Sequence, residues 1–379
     1  MNPSQEGTVL RESRVVTVRQ KIKIIGTLVF LLLIAVLGWY GWYWIKNSQN
    51  QPLAQNELAG ELPLDLTLKG FLYFEGFLPE IGMNTFALNL ESGTIEEVTS
   101  TGNNWGFAEI DQSHALISQG QKGGSIDDET QIAVMDFASD TYLNLPTPKG
   151  YYKQDMYYFQ SNNTDALVYS ARTKPVAGNE SYFDSTAWEI VIGVPETQTF
   201  TSIPASFSPV YVADRNEIVF VNSDSVSAYN LITKETYAID TTFSNFEADT
   251  EVALSPDRTK MILTVPSVNS IFVFDIVSDS TEEKLKVALQ GIIKVDGRYF
   301  SNPSISPDGR FYATYAFNEN AESANPLIEI RTFDNKEVIT AYPVEAIDYK
   351  SIKLNAWIPF LISDTAKSHA HEGSSESHQ

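Results

Sequence analysis

Cysteine is absent from the 379 residues of the chain. Its absence excludes disulfide bonds, cysteine-ligated metal sites, thiol nucleophiles and lipid attachment through a terminal cysteine. Basic residues are also scarce, with 26 lysines and arginines against 48 aspartates and glutamates, so the net charge is −22. Because nucleic-acid binding requires clustered basic side chains, this balance argues against DNA or RNA as a partner.

Histidine is almost as scarce, and three of the four, His369, His371 and His378, lie in a polar C-terminal segment that we expect to be disordered. Only His114 remains for the body of the chain, and its turn, DQSHAL, is typical of a solvated surface residue. The sequence also lacks a Gly-x-Ser-x-Gly motif, a glycine-rich phosphate loop and the spacing of a calcium loop. We therefore expect no catalytic residue, cofactor or metal site, and a protein that is not an enzyme.

Long apolar runs are missing too, except for one near the N-terminus. From Ile24 to Ile45 no residue is charged, and as a helix this segment would span about 33 Å, enough to cross a hydrocarbon core of about 30 Å. Five basic residues precede it, and only Lys46 follows closely. By the positive-inside rule the N-terminus lies in the cytoplasm and the chain after Lys46 lies outside. The sequence thus predicts a single-pass protein of the cell membrane, with the lipid bilayer as one partner.

A cleaved signal peptide is the alternative interpretation of this segment, since small residues follow it in PLAQ and ELAG. The apolar core is, however, longer than the roughly 7–15 residues of a signal peptide. The tryptophans and tyrosines of WYGWYW cluster at its outer end, as they do at a membrane interface. A retained signal-anchor helix is therefore favoured.

A strand–turn–strand pattern recurs six times in the remainder of the chain. Each copy alternates apolar and polar residues with a period of two around a polar turn. A second, looser pair of apolar runs lies before most copies, so each unit is predicted to hold four short antiparallel strands in about 40–55 residues. This is typical of a β-propeller, and we predict an all-β fold of six or seven four-stranded blades. The copies begin at Asn84, Gln131, Trp188, Ser225, Ser270 and Pro326.

Two of the units share a Ser-Pro-Asp turn, in ALSPDRTKMILTV and SISPDGRFYATYAF. Proline presets φ for the turn, aspartate accepts a hydrogen bond from the backbone two residues on, and glycine supplies a positive φ. The turn is predicted to join the innermost strand of a blade to its second strand. Its residues, to which we assign a structural role, are Ser255, Pro256, Asp257, Ser306, Pro307, Asp308 and Gly309.

These turns, with the strands IFVFDI and LIEIRTF that follow them, resemble the repeats of TolB-like and WD-repeat-like β-propellers. The resemblance covers roughly residues 64–363. TolB-like domains bind other envelope proteins through propeller faces, so the resemblance implies an interaction role by analogy. TolB itself is a freely soluble exported protein, whereas this chain is predicted to carry an anchor.

The sequence allows two ways of closing the propeller ring. The C-terminal run SIKLNAWIPFLIS, Ser351 to Ser363, is strand-like and could supply the inner strand of the first blade. The first unit has its own weak candidate for that strand in LDLTLKG, Leu64 to Gly70. Alternatively, the C-terminal run opens an incomplete seventh blade with help from residues 62–69. The predicted segments are a cytoplasmic N-terminus (1–23), an anchor (24–45), a stalk (46–61), the propeller (62–363) and a disordered tail (364–379).

The long segment from Thr173 to Ala187 separates the predicted second and third strands of the third unit. GFLPEIGM, GQKGGSIDDET and NENAESAN occupy the same position in the first, second and sixth units, so four loops emerge on one rim. Loops on a rigid scaffold often bind partners, although such insertions can also be merely tolerated. Our candidate partner-binding residues, whose aromatic members we expect to be exposed, are Tyr182, Phe183, Asp184 and Phe77.

Three functions are compatible with these patterns. The first is a membrane-anchored scaffold that binds proteins of the cell envelope at a propeller rim. The second is an extracytoplasmic binder of a glycan or small ligand in the central channel. The third is a propeller hydrolase with a metal in that channel. The first is favoured, because no nucleophile motif is present and only one histidine lies in the predicted propeller.

Overall fold

A computed structural model describes residues 68–78, 82–120, 129–161, 164–174, 184–240, 243–278, 284–295, 297–318, 326–334, 337–344 and 348–362. Every described residue belongs to one compact unit, Glu61–Gln379. The predicted anchor, stalk and tail lie outside the described residues. Within the described residues, no helix is long and apolar enough to cross a membrane.

The described chain consists almost entirely of β-strands. The first twelve are β1 (Phe71–Leu78), β2 (Gly82–Asn89), β3 (Ile95–Glu97), β4 (Asn104–Glu109), β5 (His114–Gln119), β6 (Gln131–Asp136), β7 (Thr141–Asn144), β8 (Tyr151–Ser161), β9 (Thr164–Arg172), β10 (Trp188–Val194), β11 (Thr199–Pro204) and β12 (Ser206–Val212). The others are β13 (Glu217–Asn222), β14 (Val226–Asn230), β15 (Thr236–Asp240), β16 (Glu251–Leu254), β17 (Lys260–Val265), β18 (Ser270–Ile276), β19 (Val287–Lys294), β20 (Arg298–Ile305), β21 (Phe311–Asn318), β22 (Leu327–Thr332), β23 (Val338–Pro343) and β24 (Asp348–Ile358).

These strands form six four-stranded antiparallel sheets, which are the blades of a propeller. Blade 1 has the order β24-β1-β2-β3, and blades 2 to 6 follow as β4–β7, β8–β11, β12–β15, β16–β19 and β20–β23. The first strand of each order contacts the first strand of the next blade, and β24 contacts β4, so these six strands surround the axis. The prediction of a six-bladed propeller is confirmed. All six strand–turn–strand repeats are the third and fourth strands of successive blades.

The C-terminal strand closes the ring. β24 pairs antiparallel with β1, with Ile358 opposite Phe71 and Trp357 opposite Leu72. The Trp357 indole N–H also donates to the Lys69 carbonyl over 3.0 Å. The alternative of a seventh blade is therefore wrong. The described part of the LDLTLKG run, residues 68–70, is not a strand, because β24 already occupies the inner position beside β1.

Hydrophobic clusters fill the spaces between neighbouring blades. Between blades 1 and 2, Tyr73 stacks on Phe107 with the ring centroids 4.7 Å apart. Between blades 3 and 4, Phe159 stacks on Tyr211 at 4.1 Å. A single four-stranded sheet could not cover both of its apolar faces, and removal of apolar surface from water stabilises by about 25 cal/mol per Å². Stacking in a closed ring is the arrangement in which each blade covers its neighbours.

The two Ser-Pro-Asp turns join inner strands to second strands, as predicted. Asp257 Oδ1 accepts a hydrogen bond from the Thr259 amide at 3.1 Å, and Asp308 Oδ1 accepts one from the Arg310 amide at the same distance. Gly309 has φ +70°, and Arg258 holds the equivalent position at φ +57°. The turn therefore imposes a left-handed residue even where the sequence does not supply glycine.

Candidate functional site

The inner strands of four blades carry a β-bulge. The strand pairing shifts register after Asn104 in β4, after Gln154 in β8, after Phe207 in β12 and after Ser301 in β20. In the last three strands the bulged residues Asp155, Ser208 and Asn302 have φ of +50°, +51° and +52°. A bulge re-aims the side chain of its extra residue, and here it brings polar groups from separate blades together at the axis.

A buried lysine on the closing strand lies between polar groups of other blades. The Lys353 Nζ atom is 2.7 Å from Asp155 Oδ1 in blade 3 and 3.0 Å from Glu251 Oε1 in blade 5. Asn302 of blade 6 donates from Nδ2 to the same Glu251 oxygen at 2.6 Å. Glu75 lies opposite Lys353 in the pairing of β1 with β24. These five residues, named here the axial cluster, tie four of the six blades together.

Burial and charge act against each other in the axial cluster. Burial lowers the pKa of Lys353, but the carboxylates of Asp155 and Glu251 outweigh it, so the net shift is upward and the ammonium is retained. Glu75 is fully buried. Burial raises the pKa of Glu75 to about 8, although the Lys353 charge opposes the shift. Glu75 is therefore mostly neutral at pH 7, while Lys353 is charged.

Glu75→Gln is expected to raise the free energy of unfolding by about 3 kcal/mol at pH 9 and to change it little at pH 5. An unfolded glutamate loses its proton near pH 4.5, whereas folded Glu75 loses it near pH 8. The folded state binds more protons between these values, so wild-type stability falls as pH rises through this window. Glutamine does not ionise, so the stability of the Glu75→Gln variant does not fall with pH in this way. Urea denaturation at both pH values measures the difference.

Glu91→Gln, at an exposed turn position, is the control and should show no such pH-dependent gain. An equal effect of Glu75→Gln at pH 5 and pH 9 would contradict the assignment of Glu75 as a buried, neutral acid.

A cavity of about 190 Å³ occupies part of the channel beside the axial cluster. All six inner strands line it. In β8, β16 and β24 the lining residues begin at or just after the cluster residue and continue toward the end of the strand. The cavity, which we call the axial cavity, therefore lies toward the face of the Ser-Pro-Asp turns. Its aromatic and acidic lining residues are Phe107, Tyr157, Tyr158, Glu109, Asp155 and Glu251.

The structure describes two of the four residues predicted to bind a partner. Tyr182 and Phe183 lie outside the described residues. Asp184 is described, and its Oδ1 accepts hydrogen bonds from the Thr186 amide at 2.9 Å and hydroxyl at 2.7 Å, capping a short 3₁₀ turn. Phe77 lies in β1 opposite Met83 and is partly buried against the hydrophobic cluster that includes Met83. The expectation that Phe77 is an exposed loop residue is wrong, because β1 extends to Leu78.

The four loops of the predicted rim do join second to third strands, at β1–β2, β5–β6, β9–β10 and β21–β22. Because neighbouring strands are antiparallel, these connections lie on the face opposite the Ser-Pro-Asp turns. His114, predicted to be a turn residue, is the first residue of β5, and its Nδ1 is 2.9 Å from Asp111 Oδ1. Within the described part of the chain, no three histidine, cysteine, aspartate or glutamate side chains are placed to hold a metal ion.

No family model matches the sequence, and no curated protein matches it. Among solved structures, the chain is similar to a protein of Agrobacterium tumefaciens assigned as TolB, with 8% identity over 77% of this chain and 99% of that chain and a TM-score of 0.46. It is similar to the β-propeller domain of Cps50 (Swd1) from Myceliophteria thermophila, with 11% identity over 72% and 86% and a TM-score of 0.46. It is also similar to an oligogalacturonate lyase of Vibrio parahaemolyticus, with 13% identity over 73% and 74% and a TM-score of 0.44. These likenesses concern the fold alone.

Proposed function

We propose that this protein is a membrane-anchored, extracytoplasmic β-propeller that binds protein partners as a scaffold subunit of a cell-envelope complex and does not catalyse a reaction. The observation that carries the proposal is a pair of exposed apolar side chains on the outer strand of blade 5. The uncharged segment Ile24–Ile45 and the basic residues before it support the anchor and its orientation.

β19 differs from the other outer strands. It has 8 residues, whereas β3, β7, β11, β15 and β23 have 3 to 6. Leu289 is 46% exposed and Ile292 is 51% exposed. They lie opposite Phe274 and Phe272 of β18, so they continue an apolar sheet face from the interior to the surface. An exposed apolar edge strand is a template for association with another chain.

Charge also distinguishes this edge. From residue 284 to residue 294 the chain has three lysines and no acidic residue, although the protein carries a net charge of −22. The segment itself thus carries only positive charge, with Glu282, Glu283 and Asp296 just beyond it. Lysines beside exposed apolar side chains favour a partner surface that is apolar and carries acidic groups. We name Leu289, Ile292 and the lysines at 284, 286 and 294 the blade 5 edge. The Thr173–Ala187 loop, with Tyr182 and Phe183, is the second candidate contact.

Cross-linking in intact cells tests location and partner together. A membrane-impermeant, amine-reactive cross-linker is expected to join the propeller to a second protein, because the edge carries lysines. Leu289→Ser combined with Ile292→Ser is expected to lower the yield of that adduct at least about tenfold, since hot-spot residues typically cost ~2 kcal/mol or more each. Leu143→Ser is the matched control, because Leu143 is 68% exposed on the outer strand of blade 2. It should leave the yield unchanged.

Other results would change the proposal in defined ways. An adduct formed only after cell lysis would contradict the extracytoplasmic location. A yield that survives the serine variant but is lost when Thr173–Ala187 is replaced by a short Gly/Ser linker would place the contact on that loop. A yield that survives both changes would contradict both surfaces. Metal-dependent turnover of a lactone or glycan by the purified protein would contradict the non-enzymatic assignment.

A further inference from the structure

We infer that the axial cavity binds one small organic cation of the substituted-ammonium class. The inference goes beyond protein binding at the propeller surface and does not depend on it. It rests on the charge of the cavity wall, on its aromatic residues, on its volume and on the ammonium group that the protein itself already holds at this level.

The cavity wall is acidic. Three carboxylate side chains, those of Glu109, Asp155 and Glu251, line it, and no lysine or arginine of the described residues does so. Lys353, which does not line the cavity, pairs with only two of these carboxylates. Its single positive charge is shared by Asp155 and Glu251, so the wall holds more carboxyl groups than positive charges, although burial raises the pKa of Glu251. A cation held in the cavity would favour the ionised form of these carboxyl groups.

One carboxylate oxygen of the lining also lacks a partner. Asp155 Oδ1 accepts from Lys353, but the buried Oδ2 atom has no hydrogen-bond partner among the described residues. The Asp155 side chain is only 12% exposed. Burial raises the pKa of Glu109, and the nearby Asp111 adds to this shift. Both carboxyl groups would therefore gain from a cation held in the cavity.

The remaining wall favours an organic cation. Phe107, Tyr157 and Tyr158 are among the residues that line the cavity, together with aliphatic residues such as Val252 and Leu354, and the Phe107 ring itself stacks on Tyr73. Cations attach to aromatic faces with about 0.5–2 kcal/mol, and aromatic cages recognise substituted ammonium groups. The volume of about 190 Å³ somewhat exceeds that of a cavity of about 150 Å³ that holds benzene. A ligand of about seven non-hydrogen atoms would therefore fit.

A metal ion suits the site less well. Within the described residues no three metal-binding side chains converge, as noted above. The Lys353 ammonium already bridges the carboxylates of Asp155 and Glu251. This lysine shows that the level of the axial cluster accepts an alkylammonium ion between carboxylates. In the cavity beside it, carboxyl groups would pair with the ammonium group of a ligand in the same way.

Calorimetric titration of the full-length protein in a neutral detergent and 150 mM NaCl tests the inference. The probe is choline, and its matched control is 3,3-dimethylbutan-1-ol, which has the same shape with carbon in place of the charged nitrogen. Choline is expected to bind saturably at one site, and the neutral alcohol at least about tenfold more weakly. Glu109→Gln is expected to weaken choline binding about tenfold, whereas Glu91→Gln, at an exposed turn, should not change it.

Three outcomes would overturn the inference: no saturable choline binding, equal affinity for the neutral alcohol, or unchanged choline affinity in Glu109→Gln. The comparison of choline with the alcohol uses wild-type protein, so it decides the matter even if the variant does not fold. Asp155→Asn is not used as the first variant, because Asp155 also holds Lys353.

Discussion

Lys353→Met is expected to lower the free energy of unfolding of the propeller by about 3–5 kcal/mol, because it leaves buried carboxylates without their cation. The Lys353 side chain is 9% exposed, and its ammonium pairs with Asp155 at 2.7 Å and Glu251 at 3.0 Å. Methionine fills a similar volume without charge. Asp155 and Glu251 would then have to stay unpaired or take up protons, and either response is costly in the interior. Urea denaturation at pH 7 measures the loss.

Two control variants distinguish loss of this pair from a general effect of removing a lysine. Lys149 pairs with Glu129 at 3.6 Å but is 87% exposed, so Lys149→Met should change stability by less than about 1 kcal/mol. Combining Lys353→Met with Asp155→Asn and Glu251→Gln removes all three charges and should recover most of the stability. Similar losses in Lys353→Met and Lys149→Met would show that the axial cluster does not hold the ring together.

The blades could be predicted from sequence because their third and fourth strands are regular. Strands such as Gln131–Asp136 and Trp188–Val194 alternate around short polar turns, and their period of two is visible without any knowledge of neighbours. The Ser-Pro-Asp turns could also be predicted from sequence, since Asp257 and Asp308 accept hydrogen bonds from backbone amides within the turn itself. Local interactions specify these elements, so the local sequence reveals them.

The axial cluster could not be predicted in the same way. Asp155 belongs to the run YYKQDMYYFQS, where the bulge at φ +50° interrupts the alternation that would show which side chains face the axis. Its partner Lys353 lies in the last strand, far away in sequence. Neither residue stands in a recognisable motif. Charged residues within the inner strands were an available signal, but β8 also contains Lys153, and such residues do not identify their partners.

Ring closure was ambiguous for a related reason. Both Leu64–Gly70 and Ser351–Ser363 contain alternating apolar residues, so periodicity alone does not rank them. Trp357 and Leu354 on β24 are buried in the cluster between blades 6 and 1, together with Leu72 and Phe74. This packing decides in favour of the C-terminal strand, and it becomes visible only when both ends of the domain are placed side by side.

Deletion of residues 348–379 is therefore expected to abolish cooperative unfolding of the propeller. The deletion removes β24, the inner strand of blade 1, and with it Lys353 of the axial cluster and the buried Trp357. The edge of β1 and the apolar faces of blades 1 and 6 would be left open to water. Thermal unfolding followed by circular dichroism measures the effect. Removing only residues 364–379 is the control and should leave the transition unchanged.

Relocating the strand tests whether its position, and not only its presence, accounts for this loss. β24 and β1 are antiparallel with Ile358 opposite Phe71, so the end of β24 lies next to the start of β1. Residues 348–362 can thus be moved in front of residue 68 through a short Gly/Asn turn, in a chain that ends at residue 347. This rearranged chain is expected to recover a cooperative transition near that of the wild type. If it stays non-cooperative, or if the simple deletion unfolds like the wild type, closure of the ring by β24 is not what stabilises the propeller.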